Sequence, residues 1–372
     1  MIIHWWQIIF YCFCLVTLIQ LFYYLYFFLR LAIYKVKPAT TSQTQPVSVV
    51  ICARDEAANL VKNLPGALVQ KYRTTHEIIV VEDNSFDESK YILEDYRKRF
   101  KHLQIVELKQ EAKFIPGKKY PLSVGIKTAK YEVLLLTDAD CVPASEFWIE
   151  KMQEGYRDDI EIVLGYGAYH KKKGVLNKLI RWETFHTAMQ YLSYAKAGLA
   201  YMGVGRNLSY KKSVFFRHKG FSSHNQLASG DDDLFINKAA NKKNTAIVID
   251  KDAFTLSEHA KTFNEWMRQK RRHYTTGRYY KAYQKILLGL YSLSQFLFYP
   301  LFICSLLFFY WKIVLIVFAI RFLIQTFIFY KIMNKLNEKD LFGWFLFFDI
   351  WMFFYYLVFS FSLLKKPSKN WK

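Results

Sequence analysis

Four long apolar runs frame a polar middle in this chain. The first covers residues 2–29, and the others cover 286–310, 313–330 and 341–364. A helix that crosses a hydrocarbon core of ~30 Å needs roughly 20 apolar residues, so each run is about long enough to span a membrane. The first lacks a basic leader and is followed by Arg30, Lys35 and Lys37 where a cleavage site would carry small residues, which predicts an uncleaved anchor. The polar middle opens with a linker at 38–46. Short β-branched runs then alternate with amphipathic stretches: strands are predicted at 47–51, 77–81, 103–106 and 132–136, and helices at 57–70, 89–100 and 122–129. Such alternation implies an α/β domain with a doubly wound, mostly parallel sheet, whose ligands bind beyond the carboxyl ends of its strands. The expected division is an anchor with its basic flank at 1–37, the α/β domain at 38–260, a basic interfacial segment at 261–285, and C-terminal spans with a basic tail at 286–372.

Basic residues flank the polar domain on both borders, with Arg268, Lys270, Arg271, Arg272, Arg278, Lys281 and Lys285 on the far side, which predicts a multi-pass membrane protein with this domain in the cytosol. Three later crossings would carry Lys365, Lys366, Lys369 and Lys372 outside, against that tendency. Three spans are expected nonetheless, the alternative being that the run containing Pro300 does not cross, and the side of the tail stays open. Composition agrees with a mixed chain: 52% hydrophobic and 19% aromatic residues exceed the average soluble domain, yet 22% are charged. A net charge of +21 would suit nucleic acid, anionic lipid or phosphorylated substrates, and by itself chooses none of them. The five cysteines form no CxxC pair or disulfide ladder, as expected of a reducing compartment.

The strand ends carry acids: Asp55 and Glu56, then Glu82 and Asp83, then Asp138 and Asp140. Lone strand-end carboxylates, such as Asp55 or Asp87, are most often caps and turn formers. Asp138 and Asp140 differ, because a wholly apolar strand ends in Thr137-Asp138-Ala139-Asp140 and alternate residues there can aim oxygens at one point. Hard divalent cations take such oxygens and bridge them to a diphosphate.

The segments VSVVICARDEAANL, IIVVEDNSFDES, PGKKYPL, LLLTDADCVP, GVGRNLSY, SGDDDL and EWMRQKRRH follow one another in this order between residues 47 and 273. In order and spacing they resemble the family 2 glycosyltransferases of the GT-A fold. The resemblance implies that Asp83 holds the nucleotide base and ribose, that Lys118 lies near the donor, and that Asp138 and Asp140 form the site for a metal (Mg2+ or Mn2+) and the diphosphate. A carboxylate suits an imide N–H and ribose hydroxyls, and an ammonium offsets phosphate charge. The family's Glu-Asp-x-Asp-Leu reads here Gly230-Asp231-Asp232-Asp233-Leu234. Anchored on Asp233-Leu234, it makes Asp231 the catalytic base that takes the acceptor hydroxyl's proton, with Asp232 as the alternative. Three adjacent acids in one cleft resist full ionisation, so one of them is expected to be raised. Gln269 and Arg272 keep the places of the family's Gln-x-x-Arg-Trp motif, but His273 replaces the tryptophan. Gly203, Gly205 and Asn207 suit either a turn near the acceptor or diphosphate, with which Asp233 is grouped, or a simple structural turn. Tyr279, Tyr280 and Tyr283 are expected at the membrane interface.

The function expected from this resemblance is inverting, metal-dependent transfer from a nucleotide sugar, with UDP guessed from family habit, to a lipid-linked or membrane-delivered acceptor. Loss of the tryptophan and the small number of spans point to addition of one or a few sugars. A processive polysaccharide synthase is the alternative. A membrane-anchored polyanion binder, from another class, would leave the strand-end carboxylates unexplained, so no nucleic-acid partner is expected. The sugar, the acceptor and the oligomeric state stay open. Finally, Arg321 and Asp349 sit inside apolar runs at nearly equal distances from the loop at 331–340, which predicts an intramembrane pair, with a water-lined acceptor path as the alternative.

Overall fold

The computed structural model describes residues 4–36, 45–109, 115–157 and 159–360. Lys37, most of the linker and the four tail lysines lie outside them. Among the described residues the polar middle contains ten strands: β1 (Val47–Ala53), β2 (His76–Glu82), β3 (Leu103–Glu107), β4 (Val133–Asp138), β5 (Cys141–Pro143), β6 (Ile162–Leu164), β7 (Gly167–Tyr169), β8 (Leu208–Lys211), β9 (Thr245–Ile247) and β10 (Thr255–Ser257). Seven form one sheet in the order β3-β2-β1-β4-β8-β6-β9, and β5-β10-β7 form a second. β1 pairs in parallel with both β2 and β4, whereas β8 runs antiparallel to β4 and β6. Strand order therefore reverses between β1 and β4, where an open α/β sheet leaves its ligand crevice.

The central strands are apolar on both faces because both faces are covered. Val47, Val49 and Ile51 enter one core with Ile78, Val80, Val133 and Leu135. Val50, Ile79, Val81, Leu134 and Leu136 enter the other. This is the period of two expected of a strand, in a sheet with helices on either side. Each such side chain, removed from water, contributes ~1.5–3 kcal/mol. The second core continues without a break into Tyr23, Tyr24, Phe27, Phe329 and Phe348 of the apolar helices, through the long helix Val175–Lys196. A buried ion cluster strengthens that junction: Arg181 of the long helix bonds Glu338 and reaches Asp340 at 2.7 and 2.8 Å, while the Tyr166 hydroxyl donates to Glu338 at 3.0 Å.

Four helices among the described residues are long and apolar enough to cross a membrane: Trp5–Ala32, Ala282–Phe308, Trp311–Lys335 and Lys339–Phe359. They coincide with the four apolar runs, and the helix Ala282–Phe308 continues through Pro300. Arg321 and Asp349 do pair, at 0% and 2% side-chain exposure. Arg321 Nη1 and Nη2 donate to the two Asp349 oxygens at 2.5 and 3.1 Å, and Nε donates to Gln20 Oε1 at 2.8 Å. Gln325 Nε2 and the Tyr299 hydroxyl complete the Asp349 shell at 2.7 and 2.5 Å. One ion pair thus draws on all four helices. Arg321→Leu leaves a buried carboxylate without its cation, which costs about 3–5 kcal/mol. We expect a sharp loss of monodisperse protein after detergent extraction, and the same for Asp349→Leu. Wild-type yields from both variants would show that the pair contributes nothing to folding.

Candidate active site

The carboxyl ends of β1, β2 and β4 open into a cleft of about 1590 Å³. Asp83, Lys118, Asp138, Asp140, Gly205, Asp231, Asp232, Asp233, Gln269 and Arg272 all line it. The sheet supplies Asp83 and Asp138 directly, because parallel strands finish together: β1 ends at Ala53, whose carbonyl accepts the Asp83 N–H at 2.8 Å. Asp55 and Asp87 hold turns, as expected of lone strand-end acids. The Phe86 N–H donates to Asp55 at 2.8 Å, and the Ala57 and Ser89 N–H groups donate to Asp87 at 2.9 Å each.

Asp138 is the last residue of β4, and Asp140 follows two residues on. Lys118, at the start of the helix Lys119–Thr128, places Nζ 2.6 Å from Asp138 Oδ1 and 3.2 Å from Asp231 Oδ2. Burial works to lower the Lys118 ammonium, but Asp138 and then Asp231 hold it well above the ordinary lysine range. Burial raises the Asp140 carboxyl, and the neighbouring Asp138 charge adds to that. The Asp138, Asp140 and Cys141 donor atoms all lie within 4.8 Å of one another. Burial keeps the Cys141 thiol protonated, and it donates to Asp140 Oδ1 at 3.3 Å, so the donors on offer are carboxylate oxygens. This crowding of hard oxygen donors with mutually repelling charge fits a divalent cation such as Mg2+ or Mn2+.

The second acidic group stands across Lys118. Gly230 has φ +102°, and a Cβ there would lie 2.6 Å from Leu234 Cδ1. Both facts demand glycine, which explains why no glutamate occupies this place. Lys119, 1% exposed, donates to the carbonyls of Leu227 and Ser229 at 2.5 and 2.6 Å and so pins the loop just before the acids. Asp232 caps the helix Asp233–Ala239 by accepting the Asp233 N–H at 2.7 Å, and it accepts the Gly205 N–H at 2.8 Å. Burial, then Asp231 and Asp233, push the Asp232 carboxyl up to about 7. Asp233 is raised too, first by burial, although Thr276 and Tyr280 donate to its Oδ2 at 2.5 and 2.8 Å.

Gln269 and Arg272 reach the cleft from the helix Phe263–Tyr274, which starts with a capping box between Thr262 and Glu265 and buries Trp266 and Lys270. Burial lowers the Arg272 guanidinium, opposed by Asp231, Asp232 and Asp138, so it sits in the field of both acidic groups. Two expectations need correction. Asn207 is fully buried and lies outside the cleft lining: its amide accepts from Trp148 Nε1 at 3.1 Å and donates to the Tyr166 and Ala253 carbonyls at 3.0 and 2.7 Å. With both ends of the amide engaged within the protein, it fastens the two sheets together. Tyr280 lines the cleft and donates to Asp233 instead of lying on the outer surface, whereas Tyr279 and Tyr283 are exposed. Lys119, Thr276 and Arg206 went unnoticed in the sequence. Arg206 stacks on Tyr169 at 4.4 Å and bonds Ser257 at 2.8 Å on the cleft wall, and no local pattern marks it.

Residues 48–218 match the profile of the family described as Glycosyl transferase family 2, a stretch that ends before the second acidic group. Glycosyltransferase AglE of Haloferax volcanii is 29% identical over 113 residues, which are 30% of this chain and 35% of the relative, so the match spans about a third of that protein. Among solved structures, the mannosyltransferase PcManGT from Pyrobaculum calidifontis, in complex with GDP-Man and Mn2+, superposes with a TM-score of 0.57 at 15% identity. That superposition covers 91% of this chain and 99% of the other, a share larger than the α/β domain alone. The parallel sheet with its single antiparallel insertion is the GT-A fold, and over residues 48–218, just under half of its length, this chain matches glycosyl transferase family 2, with four helices fit for a membrane around it.

Proposed function

We propose that this chain transfers a sugar, with inversion, from a nucleotide-sugar donor to a lipid-linked or membrane-delivered acceptor. It does so on the cytosolic side of a membrane, adding one or a few sugars. The observation that carries this reading is the meeting of two acidic groups across Lys118, one at the end of β4 and one in the loop at 231–233, within a cleft whose walls include membrane-type helices. The division of labour follows from their chemistry. Asp83 accepts hydrogen bonds from the base or ribose; Lys118 and Arg272 offset the diphosphate charge, and Gln269 lies beside them. Asp138 and Asp140 would hold Mg2+ or Mn2+, which supplies positive charge to a leaving diphosphate. Asp231 takes the proton of the acceptor hydroxyl as that oxygen bonds the anomeric carbon and the bond to the diphosphate breaks. A single displacement of this kind inverts the anomeric centre. Asp232 and Asp233 act as positioning residues, the first through the Gly205 N–H and the second through Thr276 and Tyr280.

GDP-Man and Mn2+ on PcManGT support a nucleotide-sugar donor and a divalent cation here, and they put GDP beside UDP as a base to test. His273 lines the cleft where the family carries tryptophan, and its smaller, partly polar face gives a growing glycan less to stack on. The test is a screen of UDP- and GDP-sugars with purified full-length protein, with Mn2+ and with EDTA, the products being read by mass. Cation-dependent turnover yielding acceptors with one or a few added sugars is expected. Turnover unchanged in EDTA would remove the cation from the reading, and a ladder reaching long polymer would make the enzyme processive.

A further inference from the structure

The cleft that holds the acids is also walled by membrane-type helices. Leu288, Gly289 and Ser292 of the helix Ala282–Phe308 and Tyr355 and Tyr356 of the last span line it. Polar groups gather at this end. Glu183 accepts from Thr187 and Tyr355 at 2.9 and 3.3 Å and pairs with Lys270, while Gln190 Nε2 lies 3.1 Å from His186 Nδ1. Beside apolar spans, polar side chains in such number are tolerated where they line a wet cavity. Gly289 is exposed, and a Cβ added to it would meet no atom within 4 Å. Its neighbours Leu290 and Leu293 are exposed as well. The wall therefore has a gap at Gly289, with cleft on one side and lipid-facing leucines on the other. Among the basic residues that line the same cleft, Lys270, Arg272, Arg278 and Lys285 come from the segment that leads into this helix and its first turn. Glu183 opposes this charge, but it is already paired with Lys270, and Glu265 is engaged in the capping box.

We propose that the gap at Gly289 is a lateral door through which a lipid phosphate enters the cleft from the bilayer. Its hydrocarbon chain stays among the exposed leucines, and its phosphate meets the basic residues that lead to Arg272 and the acids. This deepens the reading above, on which it rests for the claim that the acceptor is delivered by the membrane.

The probe is an alkyl phosphate with a photoreactive diazirine near its head, added to the full-length protein in neutral phosphatidylcholine nanodiscs, with labelled peptides mapped by mass. Labelling concentrated on the peptides holding Leu288, Gly289, Ser292, Tyr355 and Tyr356 is expected, abolished by excess dodecyl phosphate and untouched by inorganic phosphate. Gly289→Trp should lose that labelling, whereas Gly289→Ala keeps it and both keep their affinity for nucleoside diphosphates. Labelling spread evenly over all four spans, competition by inorganic phosphate, equal labelling by a neutral diazirine glycoside, or undiminished labelling of a folded Gly289→Trp would each overturn the door. The wild-type map decides alone if Gly289→Trp does not fold. Failure of the wild type to bind any nucleoside diphosphate strikes the proposed function instead, and leaves the labelling to judge the door.

Discussion

Asp231→Asn is expected to lower sugar transfer by about 10²–10⁴-fold, the range supplied by a positioned general base, and to leave nucleotide affinity within a few-fold of wild type. The substitution keeps the shape of the side chain and removes its capacity to take a proton together with its charge, while Lys118 keeps its closer ion pair with Asp138 at 2.6 Å. Asp232→Asn should cost less, because the single carbonyl oxygen of asparagine can keep one of the two backbone N–H groups that Asp232 accepts, from Asp233 or from Gly205, and loses only the other. The pH profile separates the two assignments. A base at Asp232, with its carboxyl near 7, would act only as the carboxylate, so turnover would fall about ten-fold per unit as pH drops below that value. A break near 7 that vanishes in Asp232→Asn, together with a severe loss in that variant, would move the base from Asp231 to its neighbour.

Asp138→Ala and Asp140→Ala should each reduce transfer by at least ~10²-fold, comparable to removing one preorganised electrostatic partner of a developing charge. Neither change should disturb folding: Asp138 is 33% exposed at the end of its strand, and both carboxylates face the cleft, outside the two cores. Mn2+ binding followed by electron paramagnetic resonance gives a readout independent of turnover, and it should weaken sharply in both variants. Loss of Asp138 also leaves Lys118 with Asp231 as its remaining close anion, so donor affinity should change more in Asp138→Ala than in Asp140→Ala. Near-normal turnover in both variants would dismiss the metal site.

The sheet was legible because central parallel strands are buried on both faces and so appear as unbroken apolar runs. Residues 133–136 are such a run, and the acids that follow it fall at the switch point between β1 and β4 for the same topological reason. Arg321 and Asp349 were legible by a similar regularity: charges equidistant from the turn of a helical hairpin come to one depth, where apolar surroundings favour pairing with the opposite charge. The rest depended on partners far apart in sequence. Lys119 holds a carbonyl 110 residues away and Thr276 an acid 43 residues back, and neither separation leaves a mark in local pattern. Asn207 shows the converse, since its motif suggested a ligand contact until Trp148, Tyr166 and Ala253 were seen to close around it. Strand and span identity follow from periodicity and length, which are properties of the chain alone. Which side chains face the cleft and which fasten the sheets are set by packing between distant segments, and only the tertiary structure decides them.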